Sequence, residues 1–93
     1  MFPRVLAKIK ALIRDREYVL SIHAENELAD DLFTEQDLET AILNGEITRR
    51  ERDRIGRPKY IIEGKAKDQR GITAVVQLVE TRQVLVIVTA YET

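Results

Sequence analysis

His23 is the chain's single imidazole, and it stands four residues before Glu27 in the stretch Ser-Ile-His-Ala-Glu-Asn-Glu-Leu-Ala-Asp-Asp, residues 21–31. An imidazole beside a carboxylate exchanges protons near neutral pH, so the pair is the minimum apparatus for general acid–base catalysis. On a helix, residues four apart share a face. The same spacing also arises wherever a histidine near a helix start merely hydrogen-bonds a neighbour. A metal reading draws on His23, Glu27 and Asp30 or Asp31, but one nitrogen ligand is poor supply for zinc, and magnesium or manganese would need carboxylates from elsewhere. The sequence therefore implies no metal and no cofactor.

Two further groups have chemical potential. Arg50, Arg52 and Arg54 alternate in a run that continues to Arg57 and Lys59. A one-sided arginine row grips a phosphate backbone, and charges on an edge strand also prevent edge-to-edge aggregation with no ligand at all. Tyr60 is the one aromatic beside the run, too few for a single-strand stacking platform. Thr89 and Tyr91 are two apart near the end of a β-branched run, so a strand there presents hydroxyl and phenol on one face. A tyrosine in that place also serves as an amphipathic cap on a core.

The elements that must hold these groups follow from periodicity. Phe2, Val5, Leu6, Ile9, Leu12 and Ile13 recur at three- and four-residue spacing behind Pro3, which predicts an amphipathic helix over 3–15 with a basic outer face. Tyr18–Leu20 reads as an extended link or an edge strand. Ser21 is a suitable N-cap that places His23 at the second position of a short helix. Thr34-Glu-Gln-Asp37 has the form of a capping box for another helix, with Leu38, Ala41 and Ile42 buried, and Asn44-Gly45 stops it through the left-handed conformation glycine tolerates. From Glu46 onward the pattern changes to strands: an exposed edge or irregular segment to Arg54, a turn at 55–58, then Tyr60–Ile62, Ile72–Val79 and Val84–Tyr91, with the last two forming an antiparallel hairpin. The order predicts an α+β fold, with N-terminal helices packed on one face of a three- to four-stranded antiparallel sheet.

Ninety-three residues suit one small domain. The absence of cysteine excludes disulfides and thiolate metal sites and is compatible with a reducing, cytoplasmic setting. No run approaches the ~20 apolar residues of a membrane span, and Arg4, Lys8 and Lys10 interrupt the first apolar residues, unlike the basic start of a signal peptide, so export is not expected. Charge is distributed in blocks. Residues 1–16 sum to +4 and residues 47–70 to +5, while residues 17–46 carry nine carboxylates and no Lys or Arg. Such asymmetry marks a polyanion-binding face, an internal charge complementarity, or a docking surface for a protein partner.

Ser21-Ile-His23-Ala24, Asn44-Gly45-Glu46-Ile47 and Thr89-Ala-Tyr91, with Tyr60 and Gly64 in register, resemble the family called domain of unknown function 4258. The resemblance covers about residues 18–93 as a core and leaves 1–17 as a helical extension. It implies a bacterial domain similar to the RelE and barnase-like metal-independent ribonucleases, a toxin with a small antitoxin partner, acting on free or ribosome-bound RNA. The implied chemistry is attack of a 2′-hydroxyl on the adjacent phosphate, with His23 as acid or base, Thr89 and Tyr91 as phosphate donors or proton carriers, and Arg70 or Arg57 as the cation; the pairing of Glu27 with His23 comes from their spacing and not from the resemblance. Many members carry arginine four residues after the histidine, where this chain has Glu27. The alternative is a non-catalytic interaction module whose acidic helical surface binds a basic partner.

Overall fold

The computed structural model describes residues 2–93. Three helices, α1 (Pro3–Arg14), α2 (Ile22–Asp30) and α3 (Glu35–Asn44), are accompanied by one short strand, β1 (Tyr18–Leu20), between the first two. Four longer strands follow: β2 (Glu46–Arg52), β3 (Pro58–Lys65), β4 (Gly71–Val79) and β5 (Val84–Glu92). The fold is α+β, but the sheet has five strands in the order β1-β5-β4-β3-β2 and is mixed. The difference from a purely antiparallel sheet lies at Tyr18–Leu20, which pairs in parallel with Leu85–Ile87. Strands so distant in sequence carry no local sign of their pairing.

All helices pack on one sheet face. Cross-strand rows such as Ile62, Ala74 and Ala90, or Tyr60, Val76 and Ile87, point into the core beneath them. Ile9 and Ile13 of α1 are buried in that same core. The last strand changes phase once. Val76 faces Ile87 and Val75 faces Thr89, so Val88 bulges out of the pairing. Leu85 and Ile87 point to the helices, and simple alternation would send Thr89 and Tyr91 after them. The bulge turns both to the opposite, open face and puts Ala90 in the core instead.

The first two helices end without glycine in the left-handed position. Arg16 after α1 and Leu32 after α2 have φ of 57° and 59°. In each case the amide of the next residue closes a Schellman arrangement, Glu17 donating to the Leu12 carbonyl and Phe33 to the Leu28 carbonyl. Conversely, Gly45 ends α3 in an extended conformation, φ −89°, and not in the left-handed one its type suggested. Glycine is required there for proximity. A Cβ on Gly45 would lie 2.6 Å from the Ala41 carbonyl oxygen, and one on Gly64 would lie 1.8 Å from the same atom. Asn44 completes this seam between α3 and β3, donating to the Lys65 carbonyl at 2.8 Å and accepting from the Lys65 amide at 3.0 Å.

Candidate functional site

Ser21 sets the position of the histidine segment. Its hydroxyl accepts from the Ala24 amide at 3.0 Å, as an N-cap should, and donates to the Val88 carbonyl at 2.8 Å. Its own amide donates to the Ile87 carbonyl, so α2 begins at the β5 bulge. Ala24 is fully buried, which leaves no room for a larger residue after the histidine. His23 therefore sits on the outer surface near the bulge, with its side chain 68% exposed, and its Nε2 lies 3.4 Å from Glu27 Oε1.

That oxygen has a second partner. Glu27 Oε1 accepts from the Ala90 amide at 3.0 Å, and one helical turn on, Asp31 Oδ2 accepts from the Glu92 amide at 2.8 Å. The geometry is simple: four helical residues rise about 6 Å, close to the repeat of about 6.7 Å between alternate residues of a strand. Where β1 ends, α2 substitutes for it, supplying carboxylates in place of strand carbonyls along the exposed edge of β5. Glu27 thus joins His23 to the backbone between Thr89 and Tyr91, which stand together on the open face.

Arg70 is placed elsewhere. Its Nη1 donates to the Asp31 carbonyl at 2.9 Å, its Nη2 to the Leu32 carbonyl at 3.2 Å and its Nε to Asp68 at 2.7 Å. The guanidinium lies 4.1 Å from the centroid of Phe33, and the Asp68 hydrogen bond, followed by its charge, raises its pKa. It caps the C-terminal end of α2, a helix length of about 12 Å from His23.

The arginine run occupies the other end of the sheet order. Arg50 and Arg52 share the helix-side face of β2, as their pairing with Tyr60 and Pro58 requires, but Arg54 falls in the turn beyond the strand. Arg50 lies over Phe2, Arg52 donates to the Gly56 carbonyl, and Lys59 pairs opposite Glu51. Arg57 is held by Asp53, which accepts from the Arg57 and Ile55 amides, from Arg57 Nε and from Gln77. These bonds, the Arg57 amide first, hold the Asp53 carboxyl well below the usual range. Three interstrand spacings, about 14 Å, separate β2 from β5. The structure brings together His23, Glu27 and the Thr89–Tyr91 segment; Arg70 lies at the opposite end of α2 from His23, beside the Asp31–Glu92 contact, and the arginine run lies across the sheet.

Sequence reasoning missed Tyr18. Its phenol donates toward both Glu39 and Glu35, and burial, then the Glu39 hydrogen bond and the charges of both carboxylates, raise its pKa strongly. The i,i+4 spacing of Glu35 and Glu39 was the available signal; the short strand opposite gave none.

The family model for domain of unknown function 4258 matches residues 20–92. The chain belongs to this family. The matched region starts at the last residue of β1 and leaves α1 outside, although α1 contributes to the common core. No curated protein and no solved structure matches the chain. In this member of the domain of unknown function 4258 family, the motif segments each hold part of the fold in place. Ser21 anchors α2, Asn44 and Gly45 with Gly64 close α3 onto β3, and Thr89 and Tyr91 follow the bulge. No helix among the described residues is long and apolar enough to cross a membrane.

Proposed function

We propose that the chain is a protein-interaction module whose acidic helical surface, on α2 and α3, docks a basic partner. The supporting observation is the isolation of the acidic block. Among the described residues, no Lys or Arg forms an ion pair with any carboxylate of residues 17–46; the pairs of Lys8, Arg49, Arg57 and Arg70 all lie outside that block. Glu27, Asp31 and Asp37 are engaged by backbone amides. Glu25 and Asp30 are exposed on α2, and Glu35 and Glu39 share a single phenol. A ten-residue oligolysine tests the reading by calorimetry at low and high salt. The expected result is binding that weakens with salt and falls about tenfold in Glu25→Lys/Asp30→Lys, the effect of roughly 1.4 kcal/mol. Absence of binding at low salt, or equal binding by the double variant, would reject it.

A second reading is a toxin-like endoribonuclease in a cytoplasmic toxin–antitoxin pair. The proximity of His23 to Glu27, and of Glu27 to the backbone between Thr89 and Tyr91, favours it. In this reading His23 transfers the proton, and RNA and a small antitoxin are the partners. The cation for the phosphate must then come from a residue other than Arg70, whose guanidinium is engaged. Induction in a bacterial host beside a His23→Ala control, with mapping of new RNA 5′ ends and growth, separates the readings. Cleavage and arrest lost in the variant would establish the nuclease; no new ends from soluble, folded protein would exclude it.

A further inference from the structure

We infer that the groove crossing β1 between α2 and α3 receives an extended basic segment of the partner, added as a strand to the free edge of β1, with a Lys or Arg two residues from an apolar side chain. The inference rests on the interaction reading and gives that partner a local chemistry. Two adjoining clefts form the groove. One, of about 320 Å³, is lined by Arg16, Tyr18, Glu35 and Glu39; the other, of about 180 Å³, has Leu20, Leu28 and Phe33 on its walls with Glu25, and Glu35 borders both.

The first cleft calls for a cation. A phenol has one proton, so Tyr18 satisfies one of its two carboxylates at a time. Glu35 and Glu39 repel each other at i,i+4 spacing, and Arg16 lies beyond ion-pairing distance of both. An incoming ammonium or guanidinium would neutralise this pair above an apolar floor. The second cleft suits an aliphatic side chain.

The floor fixes the spacing. Tyr18 and Leu20 are alternate residues of a strand, about 6.7 Å apart, which is the i,i+2 distance of an extended partner. The edge is also available. The Glu17 carbonyl accepts from the Leu85 amide and the Ser21 amide donates to the Ile87 carbonyl, so backbone groups of residues 17, 19 and 21 face β5. Those of Tyr18 and Leu20 therefore point outward from the last strand of the sheet. Between them Val19 turns to the open face and is 51% exposed. The intermediate residue of an added strand would cover it.

The experiment uses the full chain and ten-residue peptides that carry one lysine and one leucine at offsets of one, two, three or four. The offset of two should bind tightest. Its affinity should fall about tenfold in Glu35→Gln/Glu39→Gln, and amide exchange at Tyr18 and Leu20 should slow on binding. Replacing the peptide's lysine with norleucine makes the same comparison with the protein unaltered, and should give the same loss. Preference for an offset of four, or unchanged exchange at Tyr18 and Leu20, would overturn the added strand. If oligolysine binding still responds to Glu25→Lys/Asp30→Lys, the interaction module survives that failure; loss of both removes it as well.

Discussion

Two surfaces of α2 use the same residue type to opposite ends. Toward β5, Glu27 and Asp31 accept backbone amides and close the edge that β1 leaves open. Toward α3, Glu25 joins Glu35 and Glu39 around a groove in which no cation pairs with them. A carboxylate facing a donor row is part of the framework, whereas one facing an open groove is available to a ligand. Composition alone counts both as acidic surface. The distinction predicts that substitutions at the seams cost stability, while substitutions at the groove leave stability nearly unchanged and alter binding.

The largest effect belongs to the seam of α3 on β3. Gly64→Ala would drive a methyl into the Ala41 carbonyl and should cost about 3 kcal/mol or more, read from the urea midpoint. At the α2 seam, Glu27→Ala should cost about 1–3 kcal/mol by leaving the Ala90 amide without its acceptor, and Glu27→Gln should recover most of it. His23→Ala, on the exposed side of the same pair, should barely move the midpoint. A loss of stability there would place the imidazole within the framework.

Acid titration sharpens the contrast through Asp53, a carboxylate engaged as those at the seam are. Its folded pKa is depressed by the Arg57 amide, so its contribution is full above the unfolded value of about 4 and is lost as pH falls. The gap in Tm between the wild type and Asp53→Asn should narrow steadily below that pH. The smallest expected effect is in the groove. Glu35→Gln removes a like-charge neighbour and should stabilise by roughly 0.5 kcal/mol or less in thermal melts. A clear destabilisation would mean that Glu35 holds Tyr18 in place and belongs with the framework residues.

Local chemistry made much of this readable beforehand. Thr34 and Asp37 form the reciprocal capping box their spacing announces, Ser21 caps α2, and Thr89 and Tyr91 share a face. The unreadable parts depend on distant partners. Nothing near Tyr18–Leu20 discloses a parallel neighbour at Leu85–Ile87, and nothing near Arg70 discloses the carbonyls of Asp31 and Leu32. Gly45 shows an intermediate case. Its position as a helix stop was legible, but the approach of the Glu63 carbonyl, which adds to that of Ala41 in its own helix, exists only once β3 lies beside it. For the same reason His23 and Glu27 could be paired from spacing, while the tie from Glu27 to Ala90 could not.

The sheet order also bears on how the molecule comes into being during translation. β5 is the last strand in chain order, yet it occupies an interior place between β1 and β4. While a ribosome is still holding residues 84–92, β1 has no neighbour and the edge of β4 is bare. Until β5 joins, β1 and β4 keep two unsatisfied edges, and α2's carboxylates lack their amides. Pairing across some 67 residues closes the sheet, a route that is slow and prone to misassociation. A stalled or prematurely terminated product would be an adhesive fragment, not a smaller version of the protein.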